Sequence, residues 1–155
     1  MVQRAYLTLK QLSIWRLRRD GSPQFRIAER IGVTRQAVHN VVGVIDKKVS
    51  RALNDAAQVN KIEVRHLDPV NGILLGYSPE MKDQVIISFS AKHGIQTWHR
   101  HKGQCVECDL KNDCQKMLLE EAEERSINLT EEDKKEPPAS LAHRIFSKVV
   151  PRSDV

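Results

Sequence analysis

Apolar residues return at helical spacing along the first sixty positions. Leu9, Leu12, Trp15 with Ile14, and Leu17 predict a first helix that Asp20-Gly21 ends. Ser22-Pro23 restarts the chain, with Ser22 as N-cap and Pro23 at the first helical position, where its missing N–H costs nothing. Phe25, Ile27, Ala28 and Ile31 form the stripe of a second helix, and Gly32 sits where a left-handed turn favours glycine. Thr34 caps a third helix beginning Arg35-Gln36-Ala37-Val38. From there Val38, Val42, Ile45, Val49, Ala52, Ala56 and Val59 recur in alternating steps of four and three, a heptad seam. Such a seam either packs on the first helix of its own subunit or joins two copies as a homodimer. Gly43 lies inside it and can divide the helix.

After Asn60 the period drops to two. Ile62 and Val64 alternate with Lys61, Glu63 and Arg65. Ile73–Tyr77, Val85–Phe89 and Ile95–Trp98 read as further strands, separated by turn clusters at 68–72, 78–80 and 91–94. Gln115 to Ile127 returns to a helical pattern, with the glutamates from Glu120 to Glu124 on its wet side. Residues 130–138 (TEEDKKEPP) read as a polar linker. Ser140 to Val150 is a short amphipathic helix, marginal in water, that is either disordered or docked on the body or a partner. The expected fold is α+β. A trihelical unit with its connecting helix spans 1–59, a small antiparallel sheet 60–100, a cysteine-bearing loop and helix 101–128, and a linker and tail 129–155.

Charge divides the chain in the same places. Residues 1–60 carry eleven Lys/Arg against four Asp/Glu, whereas residues 101–136 carry six against eleven. A basic third joined to an acidic segment suggests that one part meets a polyanion and the other does not. No apolar run exceeds four residues, far short of the ~20 that span a membrane. The first fifteen residues lack the uninterrupted apolar stretch of a secretory signal, so a cytoplasmic location is expected.

Residues 24–43 carry the sharpest pattern: Ile27 and Ala28 on one helix, Ile31 closing it, Gly32 turning, Val33 plugging the turn, and Val38 and Val41 anchoring the next helix. Position by position this resembles the helix-turn-helix. With Leu7-Thr8-x-x-Gln11 and Arg18-x-x-Gly21 ahead of it, the first third of the chain is similar to the trihelical form in LuxR-type regulators, sigma-factor region 4 and archaeal Tfx-like regulators. The resemblance implies a transcriptional regulator of double-stranded DNA whose second motif helix enters the major groove. Arg35, Gln36, His39 and Asn40 would then face base edges, with Arg35 suited to guanine and Gln36 or Asn40 to adenine. Thr34, Arg26 and Ser22 are better placed for phosphates.

The three cysteines fall within ten residues as Cys105-x2-Cys108-x5-Cys114. An odd count in a reducing compartment argues for a metal rather than a disulfide framework. Soft thiolates select zinc or an iron–sulfur cluster. His101, four residues ahead, completes a tetrahedral Cys3His set, with His99 as its competitor. The spacing also resembles the three-cysteine part of iron–sulfur nucleases, and the overall plan is similar to iron–sulfur transcription regulators. The cofactor expected is therefore a [4Fe-4S] cluster or a zinc ion, with redox sensing as its use. The alternatives are a DNA- or RNA-binding protein with a purely structural zinc site and a cluster-bearing nucleic-acid enzyme. No paired carboxylates, phosphate-cradling glycine loop or nucleophile–histidine arrangement is visible, so neither catalysis nor a small-molecule substrate is expected.

Overall fold

The computed structural model describes residues 6–100 and 108–149. The fold is α+β. Three helices come first: α1 (Leu9–Arg19), α2 (Gln24–Ile31) and α3 (Arg35–Val59). An antiparallel meander follows, β1 (Glu63–Asp68), β2 (Ile73–Ser78), β3 (Asp83–Ser90) and β4 (Gly94–His99), with the strands in chain order across the sheet. Helices α4 (Lys111–Glu124) and α5 (Pro138–Ser147) complete the described chain.

The sheet is the middle of three layers. Leu74, Ile87 and Phe89 enter a core shared with α1–α3, whereas Ile73, Ile86 and Trp98 point the opposite way, into a core shared with α4 and α5. A strand covered on both faces needs apolar residues at every position, which explains the unbroken runs Ile73-Leu74-Leu75 and Val85-Ile86-Ile87.

The heptad seam is consumed inside the subunit. Val38, Val42, Ile45 and Val49 are buried in the core shared with α1, α2 and the sheet, and Ala52 is buried as well, so this stripe is not available to a second copy. Its last turn departs from the expected seam: Leu53 and Ala57 are buried, while Val59 is 81% exposed. Gly43 leaves α3 unbroken for all 25 residues.

Local details also differ from expectation. Pro23, not Ser22, is the N-cap of α2, and no side chain caps that end. Leu9 and Phe25 fall outside the stripes assigned to them and are exposed. Helix α4 starts at Lys111, a full turn ahead of Gln115, and the linker holds a 3-10 turn at Asp133–Lys135. The tail is docked. Leu141, Ala142, Ile145 and Phe146 of α5 are fully buried, and each of the larger three gains about 1.5–3 kcal/mol from that burial.

The glutamate row of α4 is the largest departure. The sequence pattern puts it in solvent, yet Glu121 is fully buried and pairs with Arg125 at 3.1 Å. Glu121 also accepts from the Ser88 hydroxyl, which in turn accepts from the Trp98 indole N–H. Arg125 donates to the carbonyls of Asn71 (2.5 Å) and Phe89 (2.9 Å). One turn on, Glu124 pairs with Arg19 of α1 at 2.5 Å, with side chains 8% and 3% exposed. Glu124 accepts backbone N–H groups of Ala91 and Lys92 as well, and Arg19 stacks over the Trp15 ring. Burial works to raise the Glu124 carboxyl, but the hydrogen bonds from Arg19 and the Ala91 N–H carry it below the usual range. Two desolvated ion pairs thus clamp α1, the sheet and α4 together, with their remaining hydrogen-bonding capacity directed to backbone and hydroxyl groups. Such pairs are tolerable only when satisfied in this way.

Candidate nucleic-acid interface

Helices α2 and α3 are joined by a three-residue turn built around Gly32, whose φ of 78° lies in the left-handed region. The Gly32 and Val33 N–H groups both donate to the Ala28 carbonyl, which closes α2. Thr34 then starts α3 by accepting the Ala37 N–H at 3.1 Å. Ile27, Ala28 and Val38 are buried between the two helices, with Ile31, Val33 and Val41 packed at the margin.

That bracing leaves the other face of α3 outward. Arg35, Gln36, His39 and Asn40 are all exposed, grouped over the first two turns. The Gln36 side-chain amide donates to the Asn40 side-chain oxygen at 3.1 Å, so the two amides share one edge of the helix. The helix is held from behind by more than apolar contact. Asp46 pairs with Arg18 of α1 at 2.5 Å, and Lys48 donates to Gln11 at 3.0 Å. Arg35, Gln36, His39 and Asn40 therefore occupy the solvent face of a helix anchored on α1 and α2.

The phosphate candidates lie at the flanks. Arg26 is exposed and stacks over Phe25, Ser22 is half-buried, and Thr34 is exposed with its oxygen engaged as a cap. Ser22, Arg26 and Arg30 line one polar groove of about 370 Å³, which Glu29 also borders. Arg30 was missed in the sequence because it lies outside the motif's marked positions. Gly43 was also misread. It continues the exposed face of α3, and a Cβ placed there meets nothing within 4 Å. Packing does not require glycine at that point, although glycine in a helix interior costs about 1 kcal/mol.

The metal candidates are only partly within view. Cys105 and His101 lie outside the described residues. Cys108 is exposed just before α4, Cys114 is half-buried in the first turn of α4, and His99 is half-buried at the end of β4. Among the described residues no cluster of three or more histidine, cysteine or carboxylate side chains has the spacing of a metal site. Nor, among them, is any helix long and apolar enough to cross a membrane. Of the other residues weighed from sequence, Trp98 is buried in the sheet core, and His93 at the β3–β4 turn contacts Glu120 at 2.6 Å. No protein-family model, curated protein or solved structure matches the chain.

Proposed function

We propose that this chain is a sequence-specific DNA-binding transcriptional regulator in which the N-terminal half of α3 enters the major groove. The observation that carries the reading is the row Arg35, Gln36, His39 and Asn40, exposed together on a helix braced by Val38 and Val42. Arginine grips guanine through two parallel hydrogen bonds, and a glutamine or asparagine amide does the same to adenine. The surplus of basic residues in the same third of the chain, with Arg26, Arg30 and Ser22 in one groove, supplies backbone contacts that orient the helix. Selection from a randomised duplex pool tests this. One enriched motif is expected, with preference relaxed at a single base by Arg35→Ala; a pool that stays random after repeated rounds contradicts it.

The same reading gives the Cys105, Cys108, Cys114 and His101 loop a metal, either zinc or an iron–sulfur cluster. Thiolate spacing supports it, as does the position of Cys114 at the start of α4, the helix that carries Glu121 and Glu124. A cluster would supply oxidation-state chemistry; zinc would supply only a structural tie. Anaerobic purification with an absorption spectrum and metal analysis separates the two, and unchanged metal content in Cys105→Ser refutes both. A homodimer belongs to this proposal on a surface other than the buried seam, with half-sites about 34–36 Å apart.

A further inference from the structure

A cavity of about 480 Å³ opens on the far side of the sheet from the helix-turn-helix, between the β1–β3 strands and α5. Its volume falls in the range of small-molecule sites. Leu75, Ile86 and Phe146 form an apolar floor. Among the described residues, the polar groups on its wall are Arg65, Tyr77, Gln84, His143 and Ser147, with no carboxylate in the lining.

The position of Arg65 is built. Strand β1 pairs with β2 in regular register except between Val64 and His66, where Arg65 is the extra residue of a β-bulge. The register pairs Glu63 with Tyr77, and Arg65, two residues on, lies on that same face of the strand. There its guanidinium lies over the Tyr77 ring at 5.4 Å. Gly76 makes the close approach of β1 possible, since a Cβ there would lie 2.3 Å from Ile62 and 2.8 Å from the Glu63 carbonyl. Across the cavity, His143 on α5 has a buried Nε2 with no hydrogen-bond partner among the described residues. Leaving such an atom unsatisfied is unfavourable, and a ligand oxygen would offset it. Glu63, the cross-strand neighbour of Tyr77, reaches Arg65 at 3.4 Å, with both side chains more than half exposed. Burial, and then the charge of Arg100, hold His143 below its usual range against the opposing pull of the Asp83 carboxylate, so near neutral pH it offers one N–H rather than a cation.

We propose that this cavity binds a small aromatic carboxylate, its rings on the Leu75–Ile86–Phe146 floor and its carboxylate between the Arg65 guanidinium and the His143 imidazole. A bidentate guanidinium–carboxylate pair stacked on an aromatic ring suits arginine and not lysine. The site is independent of the DNA-binding reading, because it rests on the other face of the sheet.

Titration of the full chain with 2-naphthoate, followed by calorimetry and by amide chemical shifts, tests the proposal. Saturable binding is expected, with shifts centred on β1, β2 and α5. The neutral 2-naphthamide and the variant Arg65→Gln should each weaken it at least tenfold, and Arg65→Lys should not restore it. Arg65 is exposed, so its variants should keep the wild-type unfolding midpoint, and that midpoint is measured alongside. His143→Asn should weaken binding less. The proposal is overturned by equal affinity for the acid and the amide, by unaltered affinity in Arg65→Gln, by shifts elsewhere in the fold, or by failure to saturate at millimolar concentration.

Discussion

Two groups of polar side chains on helices have opposite fates in this molecule. On α3, Arg35, Gln36, His39 and Asn40 face solvent, with one hydrogen bond, Gln36 to Asn40, along the helix. On and beside α4, Glu121, Glu124 and Arg125, with Arg19 of α1, are withdrawn from water and bonded to one another, to backbone carbonyls and N–H groups, and to the Ser88 hydroxyl. The residue types overlap, and so does the helical setting. The difference is whether the partner lies inside the fold. Polar groups satisfied internally secure the layers; polar groups presented from a braced helix are available to something else. The same contrast separates stability from recognition, and mutation should pull the two apart.

The largest effect is expected in the buried group. Glu121→Ala leaves Arg125 charged and buried without its ion-pair partner, which should cost about 3–5 kcal/mol in urea unfolding. A loss below 1 kcal/mol would mean that the network does not hold the layers. Arg35→Ala should do the reverse. It should lose about 1–3 kcal/mol of affinity for a cognate duplex, while unfolding stability moves by no more than about 0.5 kcal/mol, as for other surface changes. If Arg35→Ala unfolds the protein, or if Glu121→Ala leaves stability intact, the comparison fails.

Acid should act on the buried group too. Glu124 has its carboxyl held below 4.5 in the folded protein, so its contribution is complete above that value and is lost as pH falls through the folded value. Stability measured from pH 5 downward should therefore decline less steeply in Glu124→Gln than in the parent, from a lower starting point. Parallel curves would remove Glu124 from the account. The smallest effect is expected at Gly43. With open space around its missing Cβ, Gly43→Ala should raise stability by about 0.5–1 kcal/mol. Lower DNA affinity in that more stable variant would place the helix backbone against the duplex at this point.

These contrasts also show why the sequence was legible in some places and not in others. The α2–turn–α3 unit was readable because its cues are local: Gly32 needs a positive φ, Thr34 caps its own helix, and Ile27, Ala28 and Val38 meet across one turn. The strands were readable from their β-branched runs. The fate of the seam was not, because a heptad period is equally served by a partner helix or by the molecule's own sheet. Glu121 and Glu124 were misread for a similar reason. A run of glutamates reads as solvated until the fold brings Arg19, distant by 105 positions, against it. The docking of α5 and the bulge at Arg65 are likewise products of tertiary packing, invisible to any window of neighbouring residues.

The central claim is that the exposed row of α3 grips duplex DNA, and its most direct test is fluorescence anisotropy of the selected duplex at several salt concentrations. Affinity is expected to fall linearly on a log–log plot as salt rises. The variant carrying Arg35→Ala, Gln36→Ala and Asn40→Ala should lose the preference for the selected duplex over a scrambled one while keeping the parent's unfolding midpoint. Equal binding of both duplexes by the parent protein, or an undiminished preference in the triple variant, would contradict the account.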